Sequence, residues 1–189
     1  MKKCPTLMLI MAILLLTSSL LIGGCQKSQA PKAEPNNPTA EKESEESNVS
    51  QDFTLYFSDN QAMYLIAENR AVEVPKNADQ VFLLETAVKQ LIAGPKNQDL
   101  TATLPPETRL LSVKVDNGTA IVDFSQELQT KHWGGSTGEI MSLGSLTNTL
   151  TEFQGIQSVQ ILLEGQKIDS LLGHMDTSSP LQRDESLIK

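Results

Sequence analysis

The chain has 189 residues and a formal net charge of -8, which argues against nucleic acid or anionic lipid as an electrostatic partner, since both require clustered Lys and Arg. Its two cysteines, Cys4 and Cys25, lie near the start, so the rest of the chain offers neither a disulfide framework nor a cysteine metal site. Stability must come from an apolar core.

The first predicted element is a leader. Lys2 and Lys3 form a positive start, Leu7 to Ile22 an apolar run, and Gly23 and Gly24 the small residues that a signal peptidase needs beside its scissile bond. Leu21-Ile22-Gly23-Gly24-Cys25 resembles a bacterial lipobox, in which Cys25 is lipidated at sulfur and becomes the first mature residue. The competing reading is a signal anchor ending in a chance cysteine, for which the apolar stretch is short. One acyl chain, at about 0.8 kcal/mol per buried methylene, holds a protein only reversibly, and a diacylglyceryl group supplies the second chain. No later segment has the apolar length of a span, so the expectation is a lipid-anchored protein on the extracytoplasmic face of the cell membrane, with 1–24 as signal peptide.

Residues 25–51 are expected to form the lipidated Cys25 and a disordered acidic tether. The stretch carries Pro31, Pro35, Pro38 and the run Glu41 to Glu46, with Val49 as its one aliphatic larger than alanine. As a random coil it would span about 25–30 Å, with an extended limit near 85 Å.

A folded domain is expected over 52–185, followed by a tail at 186–189. Phe53, Leu55 and Phe57 alternate with polar neighbours as a half-buried strand, and Met63–Ala67 and Ala71–Val74 read as two short strands around Glu68-Asn69-Arg70. Val81, Leu84, Val88, Leu91 and Ile92 recur at helical spacing behind an Asn77/Gln80 capping box, and Gly94-Pro95 stops the helix. Asp116-Asn117-Gly118-Thr119 predicts a two-residue hairpin pairing Val115 with Ala120, Val113 with Val122 and Leu111 with Phe124, all on one face. Ser136, with Glu139 three residues on, predicts the capped start of a second helix striped by Ile140, Leu143, Leu146, Leu150 and Phe153. Ile156, Val159, Ile161 and Leu163 form a further strand, with a short return at Lys167-Ile168. This order predicts an α+β domain: a mixed, largely antiparallel sheet with two amphipathic helices packed on one face.

Several segments in fixed order resemble the GerMN domain of sporulation and spore germination proteins of the GerM type. They are Leu91-Ile92-Ala93-Gly94-Pro95, Leu104-Pro105-Pro106-Glu107-Thr108, Val122-Asp123-Phe124-Ser125, Thr149-Leu150-Thr151 in the second helix, Leu163-Glu164-Gly165, and the closing Gly173, Pro180-Leu181 and Arg183. The resemblance runs from about Phe53 to Arg183. It implies a non-enzymatic envelope protein that associates with envelope or sporulation proteins or with copies of itself. It carries over no catalytic, cofactor or metal residues.

The residues themselves point the same way. His132 and His174 fall in no HxH, HExxH or His-x3-His pattern, which argues against zinc. Gly135-Ser136-Thr137-Gly138 lacks the G-x-S-x-G of a nucleophile turn, and a helix cap accounts for Ser136. Glu139, Glu152 and Asp169 could be imagined as a wall-hydrolase set. Yet the first two lie about 20 Å apart along a helix, too far to flank one glycosidic bond. Trp133, beside two glycines, is the one residue singled out as a partner or glycan contact, against the plainer reading that it covers its own core. The expected function is thus a binding or scaffold lipoprotein, the alternative a peptidoglycan-binding accessory module for a wall amidase or other wall enzyme.

Overall fold

The computed structural model describes residues 47–189; Cys25, the leader and the tether through Glu46 lie outside the described residues. Strands β1 (Asn48–Asp59), β2 (Leu65–Pro75) and β3 (Leu100–Thr101) form one sheet in the order β2-β1-β3. Strands β4 (Leu110–Asp116), β5 (Thr119–Phe124), β6 (Ser158–Leu163) and β7 (Gln166–Lys167) form the second in that order, with β8 (Leu181–Gln182) also on β6. Helices α1 (Gln80–Ile92), α2 (Glu127–Thr130) and α3 (Ser136–Leu150) complete the domain. The architecture is mixed α and β with largely antiparallel pairing; only β5 and β6 run parallel within the sheets.

The strands divide into two sheets, and α3 packs against β1 of one and β6 and β8 of the other, with α1 alongside. Phe53, Leu55 and Phe57 of β1, Leu84 and Val88 of α1, Val122 and Phe124 of β5, and Leu143, Leu146 and Leu150 of α3 share one core. A smaller cluster of Tyr56, Leu65 and Met141 packs with Ile140, Leu187 and Ile188. β1 is therefore buried on both faces from Leu55 to Ser58, not half-buried along its length.

Several local expectations give way to tertiary contacts. β2 runs unbroken through Glu68-Asn69-Arg70, because Arg70 is buried, bonds Glu68 at 2.6 Å and donates to the Gly94 carbonyl at 2.7 Å. Asp79, not Asn77, caps α1, its carboxylate accepting from the Phe82 N–H at 2.8 Å. In the β4–β5 hairpin Val115 faces Ala120 and Val113 faces Val122, with Asn117 and Gly118 at φ 47° and 79° as the tight turn requires. The third pair fails: a bulge sets Leu110 opposite Phe124 and turns Leu111 out to solvent.

The domain is also longer at both ends than expected. Asn48–Gln51, given to the tether, are strand, because Pro75, Val74, Glu73 and Val72 of β2 pair with them. Ile188, given to the tail, bridges to Leu65, and the Lys189 N–H donates to the Leu65 carbonyl at 3.1 Å.

Candidate functional site

Helix α3 gathers most of the chemistry-bearing side chains along its length. A helix buried on every side would ordinarily be apolar throughout. This one carries Ser142, Ser145, Thr147, Asn148 and Thr149 buried opposite its leucine stripe. Four of them hold backbone of other segments. Thr149 Oγ1 accepts from the Tyr56 N–H at 3.0 Å, and Ser145 Oγ donates to the Tyr56 carbonyl at 2.5 Å. Ser142 Oγ donates to the Thr103 carbonyl. The Asn148 amide makes a reciprocal pair with the Asp184 backbone, 2.9 Å each way.

Glu139 is not the capping partner of Ser136. Gly135 occupies the cap position without any side-chain bond, and Glu139 is fully buried. Its Oε1 accepts from the Leu172 N–H and the Ser170 hydroxyl, both at 2.9 Å. Its Oε2 accepts from the His174 N–H at 3.0 Å and from His174 Nδ1 at 2.9 Å. Burial raises the carboxyl pKa, but the donors from Leu172, Ser170 and His174 outweigh it and hold the group below its ordinary range. The carboxylate is ionised and saturated, so Nδ1 of His174 carries a proton. Its role is to fasten the loop through residues 169–177 to α3.

Three residues after Glu139, Ser142 Oγ lies 2.8 Å from His132 Nε2. This is a nucleophile type beside a base type, and its geometry is wrong for catalysis. The Ser142 proton already points at the Thr103 and Gly138 carbonyls, so His132 must donate from Nε2. Ser142 is 2% exposed, which denies a substrate access. Nδ1 of His132, where a triad needs its orienting carboxylate, is buried and meets no partner among the described residues. Burial lowers the His132 pKa, leaving the ring neutral.

Trp133 is 43% exposed and edges a cavity of about 280 Å³ whose walls include Ala62, Ala102, Thr103 and Met141. The loop carrying it crosses α3 so closely that a Cβ on Gly138 would meet the Trp133 carbonyl oxygen at 2.7 Å. Gly138 is thus a contact point, not part of a nucleophile turn.

Glu152 is bonded away from Glu139, whereas Asp169 directly precedes Ser170, whose hydroxyl Glu139 holds. Glu152 Oε1 accepts from the Tyr56 hydroxyl at 2.7 Å and forms an ion pair with Arg183 Nη1 at 2.9 Å, while Asp169 offers its carbonyl to the Thr177 N–H at 2.9 Å. Burial raises the Tyr56 pKa, with the Arg183 bond opposing. The Arg183 guanidinium lies 5.4 Å from the centre of the Tyr56 ring and donates to the Asn148 carbonyl at 2.9 Å. Sequence reasoning reached Arg183 only as part of a closing motif and missed Tyr56. Among the described residues no group of three or more His, Cys, Asp or Glu could hold a metal ion, and no helix is long and apolar enough to cross a membrane.

Residues 54–169, more than half of the chain, match the Germane family, described as sporulation and spore germination. The chain belongs to the Germane family. Three solved structures place its fold. A candidate lipoprotein from Clostridium perfringens is 28% identical, with a TM-score of 0.50 over 70% of this chain and 87% of that one. The first GerMN domain of the sporulation protein GerM from Bacillus subtilis is 25% identical, with a TM-score of 0.52 over 71% of this chain and 98% of that one. The tandem GerMN domains of the same protein give 0.55 at 22% identity over 74% of this chain, which spans 46% of the tandem and so shares its fold with less than half of it. No curated protein matches the chain. The Germane family is not a known enzyme family, and the family match and the GerMN structures agree with the resemblance carried by the sequence segments.

Proposed function

We propose that this Germane-family protein is an extracytoplasmic lipoprotein, anchored through Cys25, that works by protein contact in sporulation, spore germination or envelope assembly. The observation that carries the contact reading is the employment of Glu139 and Ser142 in holding backbone and loops together, which leaves neither free for turnover. The anchor is supported by the lipobox and by the likeness to a candidate lipoprotein from Clostridium perfringens. Its partners are envelope or sporulation proteins, including further copies of the chain.

Replacing Cys25 with Ser removes the site of both sulfur-linked chains, each methylene of which contributes about 0.8 kcal/mol of membrane affinity. The expected result is loss of acyl labelling and transfer from the membrane pellet to the soluble fraction after cell breakage. A variant that stays in the pellet would mean an uncleaved signal anchor. In a spore-forming host, deletion should impair sporulation, germination or wall morphology; wild-type behaviour in all three would remove the biological half of the proposal.

A second reading is favoured by the exposed indole of Trp133 beside its cavity, a surface suited to the apolar face of a sugar ring. It makes the domain a peptidoglycan-binding accessory module for a wall enzyme. Incubation with purified sacculi separates the two: retention that Trp133→Ala reduces about tenfold supports wall binding, and no retention by the wild type leaves the protein-contact reading standing.

A further inference from the structure

In an antiparallel pair, alternate residues turn both N–H and C=O away from the partner strand. Tyr56 is such a residue, since its N–H and carbonyl both go to α3. The β1–β2 register continues without a shift from Asn48 opposite Pro75 to Ser58 opposite Leu65, so Ser50, Asp52 and Thr54 also face away from β2. The fold covers this outer edge at Ser58 with β3 and at Tyr56 with Ser145 and Thr149. Below that point the cover ends. Among the described residues, the N–H groups of Ser50, Asp52 and Thr54 meet no acceptor, and the Asp52 carbonyl is met only by the Gln51 side chain at 3.1 Å.

A cavity of about 270 Å³ opens beside this stretch, between Asp52, Phe53 and Thr54 of β1 and Glu152, Phe153 and Gln154 after α3. Its apolar element is Phe153, packed on Phe53 with ring centres 5.9 Å apart. Its acidic elements are exposed Asp52 and the Glu152 carboxylate, whose Oε1 alone is bonded.

We propose that the Ser50–Thr54 edge receives an extended basic segment of a partner protein as an added strand. The unpaired N–H and C=O groups supply the main-chain recognition, and period-2 alternation lets one side chain enter the cavity beside Phe153 while lysines or arginines reach Asp52 and Glu152. Charge selects this occupant over two others. Antiparallel self-pairing centred on Asp52 would set two Asp52 carboxylates opposite each other, and the Glu41–Glu46 run of the chain's own tether is equally repelled. The inference rests on the contact reading of function and names the chemistry of the contact.

The test uses the full lipidated chain in nanodiscs and an end-blocked heptapeptide of alternating valine and lysine. The peptide should slow hydrogen exchange at the Ser50, Asp52 and Thr54 amides. Asp52→Pro removes an outward N–H but no ladder bond to β2, and should weaken binding at least about tenfold. Asp52→Asn should weaken it less, and the valine–glutamate counterpart should not bind. A lysine peptide N-methylated at alternate residues, added to the unaltered protein, should also fail, which tests the pairing even if the proline variant misfolds. Unprotected amides at saturating peptide, undiminished binding of the N-methylated or glutamate peptide, or undiminished binding to a folded Asp52→Pro would overturn the proposal. So would protection of the same amides by self-association without peptide. Each of these outcomes leaves the deletion phenotype untouched, so failure here is distinguishable from failure of the contact reading.

Discussion

Glu139→Ala should cost about 3–5 kcal/mol of unfolding free energy, the range for removing one side of a buried, hydrogen-bonded charge. The carboxylate serves four donors, two of them backbone N–H groups of Leu172 and His174, and among the described residues none of the four meets another acceptor. Leu171, inside the same loop, is a core residue, so loss of the fastening also loosens the core around it. Glu139→Gln should recover only part of the loss, because its amide nitrogen would face donors. Urea unfolding and limited proteolysis at residues 169–177 give the readout. A loss under about 1 kcal/mol would show that Leu171 alone holds the loop.

The same residue sets a pH dependence. Its folded pKa is depressed, so the unfolded chain binds the proton more tightly and the carboxylate's contribution is complete above the ordinary carboxylate range. That contribution is lost as the pH falls through the folded value. Wild-type stability should therefore fall more steeply with acidification than that of Glu139→Gln, and the two curves should converge at low pH. Parallel curves would assign the depression to another group.

Arg183→Ala should cost about 2–3 kcal/mol and free the C-terminal segment. One guanidinium forms an ion pair with Glu152, bonds Glu185 and the Asn148 carbonyl, donates to the Tyr56 hydroxyl at 3.0 Å and covers the Tyr56 ring. Those bonds, chiefly to Glu185 and Tyr56, hold its pKa above the usual value even though burial pushes it down. Without them the Asn148–Asp184 pair becomes the main tie between α3 and the last residues. Hydrogen exchange at Asp184, Ile188 and Lys189 should accelerate, and Arg183→Lys should restore less than half of the stability, since an ammonium cannot span the same fork of acceptors. Full rescue by lysine would reduce the site to simple charge pairing.

Both residues illustrate why part of the molecule was legible and part was not. The Asn117-Gly118 turn, the apolar face of α1 and the strand at β6 follow from chemistry within a few residues, and they stand as expected. Glu139 three residues after Ser136 has the spacing of a capping box, and spacing cannot tell a carboxylate bonded to its own helix from one bonded to a loop thirty residues on. Glu68-Asn69-Arg70 had the polarity of a turn, yet Arg70 is buried because Glu68, Gln90 and the Gly94 carbonyl receive it. One signal in α3 was available. Apart from Glu139 the helix carries no charged residue, and small polar side chains stand where a solvated face would have Lys and Glu.

By itself the sequence determined the α+β class, the principal helices and strands, and the family, because alternation, helical spacing and turn residues act locally. It also supplied Cys25 and the expectation of a tethered domain. Only the tertiary structure decided that α3 lies between two sheets, that Glu139 and Arg183 fasten distant segments to it, and that among the described residues none covers the β1 edge from Ser50 to Thr54. Those features depend on what a polar group meets across the fold. A donor finds its acceptor through packing, and neighbouring residues do not record which one it will be.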